Sequence, residues 1–233
     1  MKNLTLLLII LFIGSFAHSK KYYTLNSGNW NNTTIWSLNN STPCGCFPGY
    51  NVTSDTINVN HAMNLTGTVN ASSTGRINVN SSGSVSSTTA DIFVNNAIIL
   101  ANGAVNIRNL NVGTGGLFRI TNSVMIINLN MDIYGSLVVD NSTITILSGN
   151  LNNYTGSSIQ ILNGSKYHSL IGNMKNYGNI SVCPSCCVQL DKGNITNQNT
   201  AQFMGSGGIN LLSGVIKKSW KLEQYIIVLF IWK

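Results

Sequence analysis

Residues 135–164 read GSLVVDNSTITILSGNLNNYTGSSIQILNG, and this stretch decides the fold. Its apolar residues come in short alternating pairs: Leu137/Val139, Ile144/Ile146 and Ile159/Ile161. Alternation with period two marks a strand with one face inward and one outward. Each run is closed by Gly, Asn or Ser, which accept tight-turn backbone angles. The unit then recurs: Gly135, Gly156 and Gly178 lie 21 and 22 residues apart. A repeat of this length made of strands and turns predicts a solenoid, whose units bury their apolar faces only by stacking on each other.

The same unit extends in both directions. Upstream it appears as Ile57-x-Val59, Met63-x-Leu65, Ile77-Asn-Val79, Ile92-x-Val94, Val105-Asn-Ile107, Leu110-x-Val112 and Phe118-x-Ile120. Downstream it returns at Ile180-Ser-Val182 and Ile209-x-Leu211. No window keeps a helical i, i+3, i+4, i+7 stripe, and the Gly, Asn and Ser content opposes helix at roughly 0.5–1 kcal/mol per residue. A β-sandwich would show longer strands and no self-similarity at coil length. The sequence therefore predicts an all-β chain, a right-handed parallel β-helix with three strands per coil. Residues 57–215 would make about seven coils, rising to about 34 Å in all. Asn recurring at the turns would stack in amide ladders.

The ends read differently. Lys2, the apolar run Leu4–Phe16 and the small residues around Ala17 predict a secretory signal peptide over 1–17, cleaved after Ala17. The run is too short for the roughly 20 residues that span a bilayer. Residues 18–54 carry Trp30, Trp36, Cys44 and Cys46 without a strand period, and are expected to form an N-terminal cap. The alternative for the two tryptophans is a sugar-stacking site. The solenoid is expected over 55–214. Residues 215–233 switch composition and read as an irregular tail, a last strand, a hydrophobic cap or the end of a truncated frame.

Composition narrows the function. Charged residues are only 8%, and the formal charge of +7 arises from a shortage of acids. The basic residues are scattered, whereas phosphate tracking needs a patch or groove, so no nucleic-acid partner is expected. Asp132 and Asp140 are the only close carboxylate pair. They are expected on different sides of a coil, with no basic companion, and the reading is of turn residues rather than a glycosidase pair. His18, His61 and His168 come with no G-x-S-x-G elbow. No catalytic residue, cofactor or metal site is assigned. Ice binding would want a ladder of Thr-x-Thr, and only Thr143-Ile-Thr145 fits.

Two places break the repeat. At Ser165–Asn176 the rhythm loosens around Lys166, Tyr167 and His168, which are expected to form a ligand-binding bulge. At 183–187 the run CPSCC predicts a Cys183–Cys186 bridge in an exported chain. A four-ligand zinc site with Cys44 and Cys46 would require residues about six coils apart, so the two cysteine groups are assigned separate local roles. Five cysteines leave one over, either free or paired between chains.

The GNW…W…PCGC…P…DTINV opening, the G-x-I-x-V coils and the late CPSCC resemble secreted bacterial β-helix surface proteins of the kind exported as type IX secretion cargo. The resemblance covers residues 28–214. It implies a large exported adhesin-like or matrix protein. Taken with the signal peptide, the short apolar run and the lack of a catalytic constellation, the expectation is a secreted or cell-surface structural or adhesive protein without enzyme activity, with extracellular glycans or surface proteins as partners and no membrane span after cleavage. The family often carries a C-terminal sorting domain, which this chain does not recognisably show. The alternative is a carbohydrate-binding or polysaccharide-processing β-helix.

Overall fold

A computed structural model describes residues 19–198, 200–218 and 227–230. The expected signal segment lies outside them. Every regular element among the described residues is a strand, and the strands stack into three sheets of ten, nine and ten members. Successive strands visit the three sheets in turn, so the chain is a β-solenoid of about eight turns.

The opening stretch shows how one coil is made. Ser136–Asp140 lies on the first face, Thr143–Ile146 on the second and Leu151–Asn153 on the third. The next coil repeats this with Ser158–Leu162, Lys166–Ile171 and Met174–Asn176. On the first face Ser136 pairs with Ser158 and Ser158 with Asn179, in parallel. Along that face each coil from Thr56 onward takes 19 to 23 residues. At about 4.8 Å per coil, eight turns rise about 38 Å.

Period-two alternation places Leu137, Val139, Ile144, Ile146, Ile159 and Ile161 inward, all 3% exposed or less. Each contacts its counterparts one coil above and below, so the core is one continuous column. The corners hold their own backbone. At the corner between the second and third faces, the Asn109 side-chain oxygen accepts the Asn130 backbone N–H at 2.8 Å. The pattern continues from Asn130 to Asn150, to Asn173, to Asn194 and to the Val215 N–H, at 2.9–3.0 Å. The expected amide ladder is thus a chain of side-chain-to-backbone bonds along the axis. Gly149, Gly172, Gly193 and Gly214 precede this ladder with φ of +143° to +155°, a region L side chains rarely adopt. Each approaches the carbonyl oxygen of the residue one coil earlier, Leu129 for Gly149 and the preceding glycine for the other three, so closely that a Cβ would overlap it.

Two expectations are corrected. First, the segment 18–54 already joins the solenoid. Lys21–Thr24 starts the first face against Thr56–Asn58, Gly28–Asn29 the second, and Asn51–Val52 the third. Trp36–Ser37 runs antiparallel to Tyr23–Thr24 and closes the first edge. Second, Lys166–Ile171 does not bulge; it is a six-residue strand in parallel register with both neighbours. Its period-two pattern was masked by the aromatic Tyr167 at an inward position. Of the readings open for 215–233, the strand is seen at Ile216–Lys218 and Ile227–Phe230, which extend the third and second faces.

Candidate functional site

Trp30 and Trp36 are 1% and 0% exposed. Their rings meet edge-on at 5.1 Å, and Tyr22 packs edge-on against Trp36. The Trp30 indole N–H donates to the Gly49 carbonyl and that of Trp36 to the Trp30 carbonyl, both at 2.8 Å. Trp30 lines a void of about 10 Å³ together with Leu65, Val69 and Ile77 of the first coils. Both rings are spent on the core, so neither offers a face to a sugar.

Cys183 and Cys186 have their sulfurs 2.12 Å apart, and Cys44 and Cys46 stand at 1.91 Å. Both pairs are at disulfide distance and each closes a local loop. Cys187 is the free cysteine.

Asp132 and Asp140 sit on different faces. Asp140 ends a first-face strand and pairs with Arg119 at 2.5 Å. The Asn163 amide and then the Arg119 guanidinium hold its carboxyl below the usual carboxylate range. Asp132 is the outward residue of the third-face strand Met131–Ile133.

Of the three residues expected at the bulge, the strand separates one from the other two. Tyr167 points inward and is 3% exposed, with its hydroxyl unpartnered. Burial pushes its phenol well above the ordinary range. Lys166 and His168 point outward and are half-buried. His168 pairs in register with Gln189, and its Nε2 lies 3.0 Å from Asp191 Oδ1. The Gln189 amide also donates to Asp191 Oδ1, at 2.7 Å. Burial raises the Asp191 carboxyl, but hydrogen bonds from Gln189 and His168 and the charges of His168 and Lys166 bring it below its ordinary value. The result is a small polar cluster on the second face, on a flat sheet rather than a loop.

A second cluster lies at the third face and its corner. Asp132, Asn152 and Lys175 are the outward residues of three consecutive coils and are paired in register. The Asn152 amide donates to Asp132 Oδ1 at 2.8 Å. Two residues beyond each, in the corner, stand Tyr134, Tyr154 and Tyr177. Tyr134 and Tyr154 are stacked with centroids 3.9 Å apart and planes within 6°. Tyr177 continues the stack at 6.3 Å and 12°. The Tyr154 hydroxyl donates to Asp132 Oδ1 at 3.4 Å. The Tyr134 hydroxyl beside it, burial and the Asp132 charge push the Tyr154 phenol well above its ordinary range. Tyr134 is 40% exposed. Reading the sequence for strands missed this ladder, because tyrosines in corners do not enter a period-two count. The signal was present: positions 134, 154 and 177 are spaced by one coil each.

The corner between the second and third faces exposes Leu129, Leu147, Ile171 and Leu212. Among the described residues no group of three or more His, Cys, Asp or Glu side chains comes close enough to hold a metal ion, and no helix is long and apolar enough to cross a membrane.

The fold defines the class of protein, a β-solenoid. Compared with known protein families, curated proteins and solved structures, the chain matches none.

Proposed function

We propose that this chain is an exported, non-catalytic rod that acts at the cell surface as a structural or adhesive module. The observation that carries this reading is the axial register of its outward residues. Outward side chains stand in rows at one-coil spacing, as in the polar row Asp132–Asn152–Lys175, the tyrosine stack and the exposed apolar corner. Such rows favour many weak contacts in line, which add by avidity without a deep pocket. The signal-like start and the two cysteine pairs at disulfide distance support an oxidising, extracytoplasmic setting. The resemblance to type IX cargo supplies an export route in this reading.

The test is expression of the full chain with its leader in a bacterium, followed by fractionation and a cell-adhesion assay. Retention of the unprocessed chain in the cytoplasm would sink the export reading. Hydrolysis or elimination of a polysaccharide by purified protein, lost in Asp132→Asn, would sink the non-catalytic one.

A second reading, carbohydrate binding, is favoured by the half-exposed Tyr134 beside Asp132 and Asn152. A glycan array separates the two: signal lost in Tyr134→Ala supports it, and no signal on any glycan removes it.

A further inference from the structure

We propose that Tyr134 and Tyr154 are a site of oxidative cross-linking, where a one-electron oxidant of the haem-peroxidase and hydrogen-peroxide class joins the two rings by a carbon–carbon bond between coils. The inference rests on the geometry of the rod and not on what the rod binds. The two rings are parallel within 6° at 3.9 Å, held there by paired strands immediately before them. Reaction between groups so placed does not wait on diffusion. Tyr134 is 40% exposed, so an oxidant can reach the pair. Tyr177 stacks on the other side of Tyr154 but at 6.3 Å, too far for its ring to bond as Tyr134 can at 3.9 Å, while Tyr22 lies against Trp36, Tyr50 against Phe47, and Tyr167 in the core.

Asp132 gives the pair a proton acceptor. Its Oδ1 takes a hydrogen bond from the Tyr154 hydroxyl at 3.4 Å and is oriented by the Asn152 amide. When an electron leaves the Tyr154 phenol, its hydroxyl proton passes to the Asp132 carboxylate and on to water. Tyr134 loses one electron to the oxidant and its proton to solvent. The two phenoxyl radicals carry spin at the carbons ortho to oxygen. One bond forms between an ortho carbon of each ring. The hydrogens on those carbons then move to the oxygens as both rings regain aromaticity. The pair has lost two electrons and two protons in all, and one hydrogen peroxide takes them up to give two waters. The product staples two adjacent coils at a corner, as a disulfide would, in a chain whose own cysteine pairs close only local loops.

The experiment treats the dilute purified chain with hydrogen peroxide and a haem peroxidase. Cleavage before Asp separates Tyr134 from Tyr154, since Asp140 lies between them. The expected result is dityrosine fluorescence in the monomer, with the Tyr134 and Tyr154 peptides joined and lighter by two hydrogens. Tyr134→Phe and Tyr154→Phe, each checked for an unchanged far-UV spectrum, lose the fluorescence, whereas Tyr23→Phe keeps it. Asp132→Asn keeps the product and slows its formation several-fold; an unchanged rate would remove Asp132 from the scheme. Cross-links found only between molecules, undiminished fluorescence in Tyr134→Phe, or a folded monomer that yields none would overturn the proposal.

Discussion

Replacing Asn176 with Ala tests how the last coils are held. Asn176 is fully buried at an inward position of the third face, where an apolar residue is the rule. It uses its whole hydrogen-bonding capacity. Its Nδ2 donates to Asn197 Oδ1 at 2.7 Å and to the Gln202 carbonyl at 3.0 Å. Its Oδ1 accepts from Asn153 Nδ2 at 2.7 Å and from the Gly178 N–H at 3.2 Å. Truncation orphans the Asn197 oxygen, the Gly178 N–H and the Gln202 carbonyl, at about 1–3 kcal/mol each where no water enters. A water in the new space recovers part of that, leaving a loss of about 4 kcal/mol. With a urea slope of about 2–3 kcal/mol per molar, the midpoint falls by about 1.3–2 M. The comparison is Asn64→Ala, which removes the exposed bond to Asn29 and is expected to cost under about 1 kcal/mol. Because solenoid coils are coupled mainly to their neighbours, far-UV circular dichroism should fall before the fluorescence of Trp30 and Trp36 changes. Equal midpoints for the two variants would refute the argument that burial makes this ladder costly to break.

Four further outcomes follow from the structure. Gly172→Ala places a Cβ against the Gly149 carbonyl at φ +147° and should destabilise by several kcal/mol or prevent folding, whereas Gly164→Ala, at φ +74° with open space around it, should cost about 1–2 kcal/mol; thermal melts distinguish them. Trp36→Ala empties the first coil and should cost about 3–5 kcal/mol in urea titration. The Asp91 carboxyl is held below its ordinary value by the hydrogen bond from Arg108, with burial opposing and the Asn109 amide assisting. Its folded-state pKa is depressed, so its contribution is present above the unfolded value and lost as pH falls through the folded one. Asp91→Asn should therefore be less stable than the parent at neutral pH, with the gap closing in acid; a gap independent of pH would contradict this. Thiol titration in denaturant should find one free cysteine per chain before reduction and five after it.

The architecture was legible because period two and period twenty are both written in residue type. Ile144 and Ile146 say which side faces inward, and Gly135, Gly156 and Gly178 say how often the unit returns. The extent was less legible. Two-residue strands such as Gly28–Asn29 and Asn51–Val52 are too short to show alternation, so the first coil read as a separate cap. The bulge at 166–168 was misread for the opposite reason. Tyr167 occupies an inward position usually given to Ile or Val, and a single large polar-tipped ring there looks like a break when it is a core residue. Asn153, Asn176 and Asn197 read as turn formers; only the register shows that they stack inward as a buried ladder. The tyrosine stack escaped because corners were read for glycine and asparagine alone.

The placement of these features separates residues that hold the rod from residues free to differ. Inward positions are bound by packing above and below. The corner asparagines from Asn109 to Asn194 each satisfy a backbone N–H of the next coil, so changing one exposes a donor in another. From Val69 onward, the outward residue at the second position of each third-face strand carries no such duty. Down that row the side chains run Asn70, Phe93, Asn111, Asp132, Asn152, Lys175 and Thr196, with amide, aromatic, acid and base in one line. The inward neighbours of the same strands stay apolar until the asparagine ladder begins. Variety confined to one row, on a backbone that does not depend on it, is where a solenoid can acquire selectivity without loss of fold. The tyrosine stack stands beside the middle of that row, which is why the third face and its corner, rather than the second-face cluster at His168, is the surface to which a partner should first be sought.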